Sequence, residues 1–285
     1  MATSMGLGVS PFGASKAEVL RIAAAAVDAG LPTLWLGDGL LENADFPLWS
    51  GGLEVFTELA WLAGALPRAH LGCTAAVLPL RDTVWLAKQA ATLDQLTEGR
   101  FTLVVVPGYW QREFAFRGLD FGRRGELFER ALDSLELVLA GDPRAAHPAA
   151  GPDAGRVSPP PVASSGIPLW LAGGRATMRR ALARGLPFQA SRVSPAVLRP
   201  WADEWREAGG GRLAVRVRMQ ASATAPTTGE VEWQAITGPA PFLAEQLHRF
   251  AALGVSDVSV VPGQDAATSL ATIAALAEIA PIALS

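Results

Sequence analysis

The sequence predicts an α/β fold and, within that class, a (β/α)8 barrel that takes up residues 1–285 as one domain. Three observations point there. Eight short apolar or β-branched runs each precede a longer segment with helical spacing, the pattern of βαβ units and a parallel sheet. The length of 285 residues is ordinary for such a barrel. Half of the residues are hydrophobic and 18% are charged, enough for a large core and too apolar for a disordered chain. A doubly wound sheet is the alternative, but eight full units favour closure.

The elements follow in order. The first strand is expected over Gly6–Ser10 and the first helix over Ser15–Ala29. Ser15 and Glu18 have capping-box spacing, and Gly30 sits where a helix C-cap belongs. The second pair is Thr33–Gly37 with Leu53–Leu66. The third is His70–Ala76 with Thr83–Leu96, closed by Gly99. The fourth is Phe101–Val106 with Arg123–Leu139. The second half continues with Ile167–Ala172 and Arg175–Arg184, then Phe188–Ser191 and Ala196–Ala208. Leu213–Ala223 with Pro241–Leu253 and Ser256–Val261 with Ala267–Ile279 complete the count. Two segments break the rhythm. Residues 141–166, rich in Pro, Ala, Gly and Ser, read as a surface loop before the fifth strand. Residues 224–237, with Glu230, Glu232 and Trp233, read as a loop after the seventh, on the side where a barrel does its chemistry.

Composition excludes several function classes. A net charge of −3 gives no basic field for general nucleic-acid binding. One cysteine, Cys73, leaves no disulfide framework and no cysteine zinc cluster. Three histidines, His70, His147 and His248, fall at a strand start, in the Pro-rich loop and inside a helix, so no metal site is expected. No basic segment followed by an apolar core marks a signal peptide, and Asp265 and Glu278 interrupt the most apolar stretch. A soluble cytoplasmic protein without a membrane partner is the expectation.

In a barrel the chemistry belongs at the C-terminal strand ends. Here that rim is small, Gly-rich and nearly neutral, with one carboxylate, Asp38, and no histidine. Such a rim suits a flat cofactor that brings its own chemistry. After the fifth strand comes Ala172-Gly173-Gly174-Arg175. Two glycines permit close backbone approach, and a helix N-terminus and a guanidinium point to phosphate. A plain strand-to-helix turn fits the same residues. Asp38 reads either as a ligand-orienting group or as a turn cap. Tyr109, the only tyrosine, reads as an aromatic wall or as rim packing. Arg112 and Glu113 read as a solvated or salt-bridged helix face, with a cofactor-side role as the alternative for Glu113.

The run Leu71-Gly-Cys-Thr-Ala-Ala-Val-Leu-Pro-Leu-Arg81, continued by Leu86 to Phe101, resembles the bacterial luciferase-like monooxygenase family. Leu34-Trp-Leu-Gly-Asp38, Ile167 to Gly174, and Leu243 to Leu247 with Leu253 to Val258 do so too. Within the family the chain looks most like the short F-420-dependent oxidoreductases. The resemblance implies a barrel, usually dimeric, that holds FMN or the deazaflavin coenzyme F-420 at the strand ends. It implies a non-proline cis peptide near Thr74-Ala75, a backbone border at Pro107-Gly108-Tyr109, a phosphate at Ala172, Gly173, Gly174 and Arg175, and Asp38 beside the ring.

The departures bear on chemistry. Gly39 stands where the family usually has His after the Asp. Val104-Val105-Val106-Pro107-Gly108 replaces a Gly-alternating strand. Tyr109 stands where sugar-phosphate dehydrogenases of this type have Glu, and Leu186-Pro-Phe-Gln189 replaces Asp-Gly-Trp. Three readings follow. One is a hydride-transferring oxidoreductase acting on a small molecule, with Asp38 and Tyr109 as catalytic candidates. The second is an FMN monooxygenase served by a flavin reductase. The third is a non-catalytic small-molecule binder.

Overall fold

The computed structural model describes residues 5–12, 15–42, 52–142, 155–229 and 234–283. Eight parallel strands form the barrel: β1 (Gly6–Val9), β2 (Thr33–Leu36), β3 (His70–Val77), β4 (Phe101–Val106), β5 (Leu169–Gly173), β6 (Phe188–Ser191), β7 (Leu213–Ala221) and β10 (Val255–Val261). Each pairs with the next, and β10 pairs with both β7 and β1, so the ring is closed and carries no free edge. Around it lie α1 (Lys16–Asp28), α2 (Val55–Ala65), α3 (Thr83–Leu96), α5 (Arg124–Leu139), α6 (Arg175–Arg184), α7 (Pro195–Glu207), α8 (Ala240–Ala252) and α9 (Ala266–Ala283).

The strands read as continuous apolar runs because both of their faces are buried. In β4, Phe101, Leu103 and Val105 pack outward against the helices, while Val104 joins a small cluster inside the barrel. That inner cluster is built on Trp35 and Trp170, whose ring centroids lie 5.6 Å apart, with Ala172 and Ala214. Trp35 fits only because the neighbouring strands present glycine. A Cβ at Gly72 would lie 2.1 Å from the Trp35 ring, and one at Gly8 would lie 2.5 Å from its Nε1. Below this layer the barrel floor is polar. His70 Nε2 lies 3.1 Å from Thr102 Oγ1, and Arg212 grips Asp257 through two hydrogen bonds of 2.6 Å. His70 is therefore structural, and burial pushes its pKa down. His248 is exposed on α8, and His147 lies outside the described residues.

Three local expectations change. A six-residue helix, α4 (Gln111–Phe116), follows β4; it is too short to show a helical period in sequence. The segment after β7 is not simply a loop, because β8 (Thr227–Thr228) pairs antiparallel with β9 (Ile236–Gly238), and β9 runs parallel to the end of β7. Thr227 Oγ1 locks the hairpin, donating to Ala235 O at 2.8 Å and lying 2.8 Å from Thr237 Oγ1. Glu230 and Trp233 lie outside the described residues. Gly30 sits one residue beyond the α1 cap, which is Ala29. The described part of the Pro-rich segment, residues 155–166, lies along α3: Gln95 Nε2 donates to Pro160 O at 2.8 Å, and Val162 N donates to the buried Asp94 at 2.7 Å. Among the described residues no helix is long and apolar enough to cross a membrane, and no cluster of metal-ligating side chains occurs.

On the outer face, burial and the neighbouring Glu54 push the Glu58 carboxyl up to about 7. A carboxyl raised in the folded state binds more protons folded than unfolded between about pH 4.5 and 7. Stability therefore falls as pH rises through that window. Glu58→Gln is expected to flatten the dependence of Tm on pH between 5 and 7, measured by thermal scans at constant ionic strength.

Candidate active site

The C-terminal strand ends open into a cavity. Asp38 from the end of β2, Thr74 and Ala75 from β3, Val106 and Tyr109 from the end of β4, and Ala172 from β5 line one side. Arg192, after β6, and Arg216 and Arg218, on β7, line the other. Arg216 and Arg218 point inward because they alternate with Val215 and Val217, which pack outward against the helices.

Asp38 is held on both oxygens. Arg81 donates to it through Nε at 2.9 Å and Nη2 at 2.6 Å, and Val77 N donates at 3.0 Å. Arg81 also donates to Glu54 at 3.0 Å and lies over the Phe56 ring. A side chain with only 8% exposure, engaged this way, acts as an acceptor that ties the β2 end to β3 and the turn that follows it. The Thr74–Ala75 peptide is cis, at the point where the β3–β4 register shifts. Arg216 Nη1 donates to Thr74 O at 2.7 Å, and Thr74 Oγ1 donates to Gln189 Oε1, so β6 and β7 fasten this bulge from across the barrel. Burial, with Arg192 nearby, pushes the Arg216 guanidinium down to about 10.

Tyr109 stands at the edge of the cavity. The Arg192 guanidinium lies 4.3 Å from its ring centroid and also donates a hydrogen bond to the phenol. Burial raises the phenol pKa, and the nearby guanidinium opposes this. Glu113 is not solvated as its sequence neighbourhood suggests. It is buried on α4 and accepts hydrogen bonds from Leu40 N at 2.6 Å and from Leu41 N, pinning the segment after β2; burial raises its pKa. Arg112 beside it is exposed.

Beyond Tyr109 and Arg192 a second cavity runs over the turn after β5. Pro107, Gly108, Gly173, Gly174 and Thr177 line it, together with Arg124 and Arg180. Gly173 has φ +138°, a conformation L side chains rarely adopt, and a Cβ there would also crowd Thr177 Oγ1 at 3.2 Å. The α6 N-cap, Gly174, gives the helix no side-chain cap. The N–H groups of its first turn and the positive end of its dipole therefore face the cavity.

Of the sequence-predicted residues, Asp38, Thr74, Ala75, Tyr109 and Ala172 meet at the mouth, and Pro107, Gly108, Gly173 and Gly174 line the second cavity. Arg175 lines neither. Its guanidinium is turned to Glu204 on α7, which also holds Arg179 at 2.9 Å. Val106 and Tyr109 border both cavities. Arg192, Arg216, Arg218, Arg124, Arg180 and Thr177 were not singled out from sequence. For the β7 pair a signal existed: two arginines at inward positions of an otherwise apolar barrel strand.

The model of the luciferase-like monooxygenase family matches residues 3–275. The chain belongs to that family. Pyrimidine monooxygenase RutA of Yersinia enterocolitica is 39% identical over 87 residues, 30% of this chain and 23% of that protein. RutA of Methylobacterium radiotolerans is 35% identical over 108 residues, 38% of this chain and 27% of that protein. The matched stretch thus spans about a quarter of these relatives. Among solved structures, an F-420-dependent secondary alcohol dehydrogenase with an F-420–acetone adduct superposes with a TM-score of 0.80 at 15% identity, covering 99% of both chains. The oxygenating constituent of 3,6-diketocamphane monooxygenase of Pseudomonas putida, with FMN, gives 0.74 at 14% identity over 98% of this chain and 99% of that one. At these identities the likeness is one of fold.

Proposed function

We propose that the chain is a single-domain oxidoreductase that uses a flavin or deazaflavin, FMN or coenzyme F-420, to move a hydride to or from a small organic substrate in the barrel mouth. One arrangement carries this reading: a mouth cavity at the strand ends continues, past Tyr109 and Arg192, into a second cavity headed by the uncapped α6 N-terminus. The residues fit a planar, phosphorylated group. Thr177 is 3% exposed and lines the second cavity, one helical turn from the Gly173–Gly174 turn. A hydroxyl at that position is a donor suited to a phosphate oxygen. Asp38, Thr74, Ala75, Tyr109 and Ala172 would hold the ring, Pro107 and Gly108 the chain leading from it, and Gly173, Gly174 and Thr177 the phosphate. Arg175 contributes its backbone N–H there, not its guanidinium.

When bound, the cofactor supplies the hydride. The protein excludes water, orients the reactants and holds a proton. Asp38 fixes the corner between β2 and β3. Tyr109, whose phenol pKa burial raises from its ordinary value, is the group at the mouth able to donate a proton. Tyr109→Phe is expected to lower kcat about 100-fold while cofactor Kd stays within about twofold. An unchanged kcat would remove Tyr109 as the acid.

The stretch shared with pyrimidine monooxygenases favours a second reading, in which FMN reduced by a separate reductase activates oxygen at the same site. Anaerobic oxidation of reduced F-420 by small ketones supports the first reading. Oxygen uptake with reduced FMN, and no anaerobic turnover, supports the second. A homodimer belongs to both readings, with the exposed Val84 and Trp85 of α3 as apolar surface for it to cover.

A further inference from the structure

The second cavity carries positive charge in a place that a single terminal phosphate at the α6 turn does not use. Arg124 opens α5 and lines this cavity with Gly122 and Gly125. Its guanidinium lies 4.2 Å from the Phe121 ring centroid and donates to Phe121 O at 3.2 Å. Phe121 is in turn held edge-on by the buried Phe114, with ring centroids 5.3 Å apart. The cation is thus positioned by an aromatic face and a carbonyl, neither of which neutralises it.

Its neighbours differ. Arg123 and Arg130 pair with Glu126, Arg175 and Arg179 with Glu204, and Arg180 and Arg184 with Glu129. Arg124 has no carboxylate within ion-pair distance among the described residues, and it is half-buried, where a charge left without a counter-ion is disfavoured. No carboxylate lines the cavity. The α5 N-terminus adds to the same field, because its N-cap, Arg123, provides no side-chain acceptor. The uncapped N-terminus of α6, with Gly173, Gly174 and Thr177 lining the same space, marks a separate anion position.

We infer that Arg124 forms a second anion subsite, which takes a carboxylate lying beyond the cofactor's phosphate. This rests on the reading given under Proposed function and narrows it. FMN ends at its phosphomonoester, whereas coenzyme F-420 continues past a phosphodiester into a tail of carboxylates. A cavity with one anion position on α6 and another on α5 fits the longer, polyanionic tail, so the chain is assigned to F-420 over FMN. Arg124 is a specificity-determining residue that acts on the tail and leaves the ring untouched.

The test is a set of fluorescence titrations of wild type, Arg124→Ala and Arg124→Gln. The ligands are full-length F-420, its phosphodiester form without glutamates, the deazaflavin alcohol without phosphate, and FMN. Wild type is expected to tighten at each step from alcohol to phosphodiester to full tail. Both variants should raise the Kd for full-length F-420 about tenfold, the range of one charge-assisted contact at a half-exposed site. They should leave the alcohol's Kd unchanged. Gln, which keeps a polar side chain without the charge, guards against a folding defect in the Ala variant. Equal wild-type affinity for the phosphodiester and the full tail would overturn the inference and leave the oxidoreductase reading standing. So would an equal loss for the alcohol in the variants. Wild type that binds none of the four ligands removes both.

Discussion

Arg81→Ala is expected to destabilise the protein by about 3 kcal/mol, because breaking a buried ion pair strands the remaining charge. Asp38 would keep only the Val77 amide, at 3.0 Å, after losing both bonds from Arg81. The pair is not fully dry, since the Arg81 side chain is 18% exposed, which places the cost at the lower end of the usual range. At roughly 2–4 °C per kcal/mol for a domain approaching this size, Tm should fall by about 6–12 °C in a calorimetric scan. Asp38→Asn in the same background should cost less than the sum of the two single changes, since the stranded charge is gone. Equal, additive losses would show that the pair does not hold the β2 end to β3.

Gly72→Ala is expected to cost about 1–3 kcal/mol, the range for overfilling a packed core. The added methyl would sit 2.1 Å from a Trp35 ring that is itself confined by Trp170 and Gly8, so the backbone of β3 must move. Because β3 ends in the Thr74–Ala75 bulge, cofactor affinity should weaken along with stability. Trp35→Phe removes the six-membered half of the indole that the methyl meets. Gly72→Ala should therefore be less harmful in a Trp35→Phe protein than in wild type, measured as a double-mutant cycle by denaturant unfolding. The same penalty in both backgrounds would place the strain elsewhere.

The barrel was legible in the sequence because its strands are buried on both faces and so stand out as apolar runs, β4 being the plainest. The helices stood out because their inward stripes recur at helical spacing. α4 was missed because six residues hold less than two turns, and the β8–β9 hairpin because two- and three-residue strands make no alternating pattern. At the site, residues that contribute backbone, such as Gly173 and Gly174, were readable from the need for a bare, close-approaching turn. Side chains delivered from a distance were not. Arg175 is adjacent to the turn in sequence, yet Glu204, 29 residues away, draws its guanidinium off, and the cations that line the cavity come from the start of α5 and one turn further along α6. Glu113 shows the same limit, since the two amides that bury it belong to the segment after β2.

The central claim is that the open barrel end binds a flat, phosphorylated redox cofactor, and equilibrium titration of purified protein with F-420 and FMN, followed by cofactor absorbance and fluorescence, tests it most directly. Saturable one-site binding with a spectral shift, weakened when the phosphate is removed and when Thr177 is changed to valine, is the predicted result. Spectra that remain those of free cofactor at every protein concentration would contradict it.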